Sequence, residues 1–142
     1  MIRATLSRPS SGCRRGQAIV EFAIVLPALL MLLLGIVDMA RAWNVYEVMT
    51  DAGREGARRA VVADATTTED DVKDAIVAAG SRAAISIDPA RITITGFHAG
   101  RGTEALVRVE YDHTLQWVGA LLALATGDRT LTLASEFAMR NE

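Results

Sequence analysis

The sequence predicts an α+β fold in which a long N-terminal helix, half transmembrane and half amphipathic, packs on a small antiparallel sheet. Three observations point there. The twenty residues from Ala18 to Val37 carry a single charge, Glu21. An apolar stripe of helical period continues from Met39 to Val61 with no proline to break it. Beyond Asp64, short alternating segments are separated by glycine- and threonine-rich turns.

With 142 residues, 51% hydrophobic and 5% aromatic, the chain suits one small domain plus one membrane segment. Its net charge of −2 hides an asymmetry. Arg3, Arg8, Arg14 and Arg15 put +4 on residues 1–16, which contain no acid. The remainder keeps 11 of the 15 basic residues against all 17 acids, a balance of −6. A basic leader (1–16) ahead of an apolar run predicts that the N-terminus stays in the cytoplasm and the rest is exported. The acidic body argues against nucleic acid as a partner, since that footprint needs clustered Lys and Arg. Cys13 is the only cysteine, so no intrachain disulfide can form and the exported part must be held by packing. It precedes the apolar run, whereas an acylated lipoprotein cysteine would follow it.

At ~1.5 Å per residue, residues 18–37 reach ~30 Å, the thickness of a hydrocarbon core. Residues 17–37 therefore form the predicted transmembrane helix. A carboxylate inside it costs ~2.5 kcal/mol or more at the helix centre and less near the interface, so Glu21 calls for compensation. A cut after Gly16 would supply it, by freeing an α-amino group and leaving Glu21 as the fifth residue of the mature chain. Other readings of the segment stand beside this one. Ala40-Arg41-Ala42 has the form of a signal-peptide cleavage site, although signal apolar regions run ~7–15 residues. A twin-arginine signal would need the motif to continue after Arg14-Arg15, and it does not. An uncleaved single-pass anchor, with the domain as a membrane-held binding module, explains the length and charge bias but not Glu21. Pro27 lacks an N–H and crowds the Ala23 carbonyl, which predicts a kink or local melting. Membrane helices tolerate this where neighbours satisfy the freed carbonyl, so Glu21 and Pro27 together point to a helix packed against other helices.

The run Gly16-Gln17-Ala18-Ile19-Val20-Glu21-Phe22-Ala23-Ile24-Val25-Leu26-Pro27 resembles the N-terminal signature of the TadE-like proteins, minor pseudopilins of bacterial tight-adherence (Flp) pilus systems. The resemblance continues through Gly35-Ile36-Val37-Asp38. Ala52-Gly53-Arg54-Glu55-Gly56-Ala57-Arg58 is similar to the family's AAREGAR stretch, with Gly53 in place of an alanine. Leu131-Thr132-Leu133-Ala134-Ser135 and Met139-Arg140-Asn141-Glu142 resemble the family's usual end. The resemblance implies a pilin-like fold and cleavage after Gly16 by a prepilin peptidase at the cytoplasmic face, with Gln17, Glu21 and Phe22 completing the processing site. It also implies that Glu21 and Pro27 serve assembly, pairing of Glu21 with a neighbour's amino terminus being one route. The implied location is the bacterial inner membrane, crossed once, with the C-terminus periplasmic or extracellular. The implied partners are the peptidase, the major pilin, other pilus-assembly proteins and membrane lipid.

Residues 38–63 are expected to extend the helix. Met39, Ala42, Trp43, Tyr46, Met49, Gly53, Ala57, Ala60 and Val61 form one stripe, and Asp38, Arg41, Glu47, Asp51, Arg54, Glu55 and Arg58 occupy the other faces. Glu55 and Arg59 stand four apart with the acid first, the favourable order for an ion pair. Trp43 and Tyr46 fit either an interfacial aromatic belt or the domain core. Gly53, Gly56, Ala57 and Ala60 allow close approach, here to the domain. Gly53 is also expected to loosen the helix, glycine being ~1 kcal/mol worse than alanine mid-helix.

Residues 64–142 read as a small α+β exported domain. Thr66-Thr67-Thr68-Glu69-Asp70-Asp71 supplies a cap and first-turn acids for a helix ending near Gly80. Strands are expected over 91–95, 104–111 and 130–138, with Gly96, Gly100 and Gly102 in the first connection. The nine apolar residues from Trp117 to Ala125 are too short to cross a membrane. Core packing is expected for them, with a partner interface as the second reading.

The sequence offers no active site, and the expected class is structural, not enzymatic, with no metal or cofactor. His98 and His113 lack partners at ligand spacing. Asp112 would point away from His113 in a strand. The Gly96–Gly102 loop lacks a phosphate-cradle pattern.

Overall fold

The computed structural model describes residues 12–141. Most of the predicted basic leader, including Arg3 and Arg8, lies outside them, as does Glu142. Helix α1 runs from Gly12 to Val61, so the amphipathic extension continues the apolar half in one rod. It passes through Pro27 as uninterrupted α-helix. The expected local melting is therefore absent, and the proline removes only its own N–H from the ladder. Helix α2 spans Glu69–Arg82. Its start is the expected cap, a reciprocal box in which the Thr68 hydroxyl accepts from the Asp71 N–H and the Asp71 carboxylate accepts from the Thr68 N–H.

A single 3₁₀ turn, Pro89–Arg91, leads into strand β1 (Ile92–Thr95). Strand β2 (Glu104–Thr114) pairs antiparallel with β1 on one side and with β3 (Thr130–Arg140) on the other, in the order β1-β2-β3. The register sets Ile92 opposite Val109 and Val107 opposite both Ile94 and Phe137. These residues share the face that meets the helices. The opposite face carries charges, where Arg108 bonds Glu110 and Glu136 and Arg91 bonds Asp112. Between β1 and β2, Gly96 has φ +76, and a Cβ there would lie 2.1 Å from the Glu104 carbonyl oxygen. Only glycine makes that turn.

The core lies between the sheet, α2 and the distal half of α1, around Met49, Val72, Ile76, Ile87, Val107 and Val109. Small residues on α1 let the layers meet. A Cβ on Gly56 would come within 2.5 Å of Ile76 Cδ1, and one on Gly53 within 2.9 Å of Phe137 Cδ2. The close approach to the domain expected at Gly53 and Gly56 is present, and Phe137 occupies the space a side chain at position 53 would take. The Glu55–Arg59 pair forms at 3.6 Å, and Arg58 reaches Glu55 at 3.2 Å.

Candidate functional site

Two places on α1 bear on function, the apolar N-terminal end and the point where that end meets the domain. At the first, Gly16, Gln17, Glu21, Phe22 and Pro27 are all exposed on the helix, Phe22 by 62%. The Gln17 side-chain amide donates to Glu21 Oε1 at 3.1 Å, one helical turn apart. That is the one contact the structure makes within the predicted processing and assembly set. Phe22 and Pro27 are not brought to either residue. Among the described residues, α1 is the one helix long and apolar enough to cross a membrane, and no residue of its most apolar window is buried. This fits a single-pass membrane anchor.

The second place centres on Asp38. Sequence periodicity put it on a solvent face, but its exposure is 1%. The buried residues of α1 are Asp38, Ala42, Met49, Ala52, Gly53, Gly56, Ala57 and Ala60, while Met39, Trp43 and Tyr46 point outward. The aromatic pair therefore does not enter the core. Trp43 lies 6.1 Å from Tyr46, centroid to centroid, and its indole N–H donates to Glu47 at 2.9 Å. The useful signal was spacing: residues 38, 42, 45, 49 and 52 continue the true stripe, and a charge at one of them marks a polar partner.

That partner is the backbone entering a third helix, α3 (Gly119–Thr126). The N–H groups of Trp117 and Val118 donate to Asp38 Oδ2 at 2.8 and 2.9 Å. Burial pushes the Asp38 carboxyl up, but the Val118, Trp117 and Gln116 backbone donors, with Arg41 nearby, outweigh it and hold the group below its ordinary value. Arg41 closes the rim by donating to Gln116 Oε1 at 2.6 Å. Beneath the clamp Val118 lies beside Gly35, its Cγ2 at ordinary contact distance, 3.7 Å, from where a Cβ would stand. The expected core packing of the 117–125 segment is corrected here. Within α3 only Gly119 is buried, and Leu124 is 86% exposed.

Neither histidine joins a reactive group. The His98 ring lies tilted against Phe97, centroids 4.1 Å apart, with Nε2 3.2 Å from the Thr67 carbonyl oxygen, and Asp112 engages Arg91 and Thr132 rather than His113.

Residues 16–58 match the family model described as TadE-like protein. That segment is TadE-like. No curated protein and no solved structure matches the chain. The TadE-like segment contains Glu21, Pro27 and Asp38 as well as Gly53 and Gly56, so it includes both the exposed apolar end and most of the surface that receives the domain. The residues it clamps, Trp117 and Val118, lie beyond it.

Proposed function

We propose that this chain is a minor-pseudopilin-like subunit that serves assembly or priming of a tight-adherence, type IV-like pilus and has no enzymatic role. A prepilin peptidase matures it after Gly16 in the bacterial inner membrane. The N-terminus is cytoplasmic and the domain periplasmic or extracellular, where the major pilin and other pilus-assembly proteins engage it. The observation that carries this reading is the TadE-like match over 16–58, which encloses every residue of the processing site. The geometry supports it. Glu21 is an exposed carboxylate on an otherwise uncharged surface, and the Gln17 side chain already reaches it. Cleavage would create a positive α-amino group on Gln17, about one helical pitch (~5.4 Å) along the axis from that carboxylate. The same charge offered by a neighbouring subunit would draw two such helices together in lipid, where screening is weakest.

The mass of the N-terminal peptide of the native protein tests maturation. A chain beginning at Gln17 is expected, and retention of residues 1–16 in cells with an active peptidase overturns the proposal. Glu21→Ala is expected to insert in the membrane normally and to lower pilus number. Normal piliation by that variant would remove the carboxylate from assembly.

A further inference from the structure

Helix α3 is an apolar element whose outer side none of the described residues covers. No charge occurs between His113 and Asp128. Trp117 is 54% exposed, Leu121 42% and Leu124 86%. In a water-soluble domain this would be an unpartnered surface, yet its position says what surrounds it. Met31 and Leu34 of α1 form one wall of an apolar groove of about 270 Å³, and Trp117, Val118, Leu121 and Leu124 form the other. Met31 and Leu34 belong to the span itself. With the span ending at Val37, they lie ~9 and ~4.5 Å inside it at ~1.5 Å per residue. An element that shares a groove with both sits at the depth of interfacial helices, ~5–10 Å into the headgroup and acyl boundary.

We infer that α3 is a second membrane-contacting element, a short interfacial helix held at the edge of the bilayer by Asp38, and that phospholipid acyl chains fill the groove between it and α1. The buried Asp38 clamp fixes the height. Its carboxylate satisfies the two backbone N–H groups that precede α3, which would otherwise face lipid without a partner. Trp117 sits where the chain enters the boundary, a level that tryptophan favours. The chain leaves α3 through Gly127 in a left-handed turn, and Asp128 and Arg129 return to water. The occupant is lipid and not a second copy, because the groove is continuous with the wall of the span, which lipid already wets.

The inference rests on the apolar half of α1 lying in a bilayer, and the experiment separates the two. In a Cys13→Ser background, Leu124→Cys, Leu32→Cys and Val62→Cys each place a single thiol at an exposed position: on α3, in the span and at the far end of α1. Each full-length chain is labelled with an environment-sensitive nitrobenzoxadiazole probe and reconstituted into phosphatidylcholine–phosphatidylglycerol vesicles. Position 32 reports insertion of the span, and position 62 is expected to emit as in water. Position 124 is expected to be blue-shifted and at least halved in intensity by lipids brominated near the headgroup end of the chain. Water-like emission at 124 with an inserted span overturns the inference. So does blue-shifted emission that brominated lipid fails to quench, which would assign the groove to protein.

Discussion

Gly56→Ala tests the layer architecture because two opposing effects on one residue set its sign. In an open helix alanine is better than glycine by ~1 kcal/mol. At position 56 the added carbon would sit 2.5 Å from both Cδ1 and Cγ1 of Ile76 and 3.7 Å from Val107 Cγ1. Carbon atoms pack comfortably at ~3.5–4.0 Å, so about 1 Å must be found. Ile76 is fully buried, and turning its ethyl arm relieves Cδ1 but leaves Cγ1 attached to the crowded side. Overpacking of this kind costs ~1–3 kcal/mol. Set against the propensity gain, a net loss of up to ~2 kcal/mol is expected, as much as a ~30-fold drop in the ratio of folded to unfolded domain. Urea unfolding of the detergent-solubilised chain, followed by circular dichroism, should show a lower midpoint with an unchanged slope. Adding Ile76→Val should recover part of the loss as a favourable coupling between the two sites. A rise in midpoint for Gly56→Ala alone would mean that α1 does not press on α2 at this point, and the core described above would be wrong.

Two further outcomes follow from local geometry. The Asp38 carboxyl titrates below its ordinary 3.8 in the folded protein, so its contribution is complete above that value and is lost as pH falls through the depressed one. In a Trp43→Phe chain the emission of Trp117 should therefore change only below pH 3.8, and the change should vanish in Asp38→Ala, where the clamp is already open. A transition above that pH, or one that survives Asp38→Ala, would remove Asp38 as its cause. Gly96→Ala places a side chain at φ +76 against the Glu104 carbonyl and should cost more than ~1 kcal/mol, read as a lower unfolding midpoint. Tolerance of that change would show that the β1–β2 connection can take another path.

The parts of this fold that were legible in the sequence are those whose causes are local. The length of the 18–37 run, the Thr68–Asp71 box, the Glu55–Arg59 pair and the three strands each depend on neighbours within a few residues, and each is present. The misses share the opposite character. Asp38 looked like a solvent-facing charge because its partners are the backbone amides of Trp117 and Val118, 79 and 80 residues away. Rotating the stripe to include Asp38 turns Trp43 and Tyr46 outward, which removes the core from their two readings. Segment 117–125 was assigned to the core on composition alone, and composition does not distinguish an environment of protein from one of lipid. Of the two places on α1, the exposed apolar helix was readable and the Asp38 clamp was not.

The continuity of α1 across residues 16 and 17 has a kinetic consequence. A protease grips its substrate as extended chain, and here the bond in question lies inside a helical coil that begins at Gly12. The backbone must fray before it can be cut. Glycines at 12 and 16 lower the resistance of the first turns to that opening, while the apolar residues that follow stay wound because lipid offers their amides nothing else to bind. Under the proposed maturation, hydrolysis at this bond would be limited by how often a short stretch unwinds at the membrane surface, and the glycines at 12 and 16 would set that frequency.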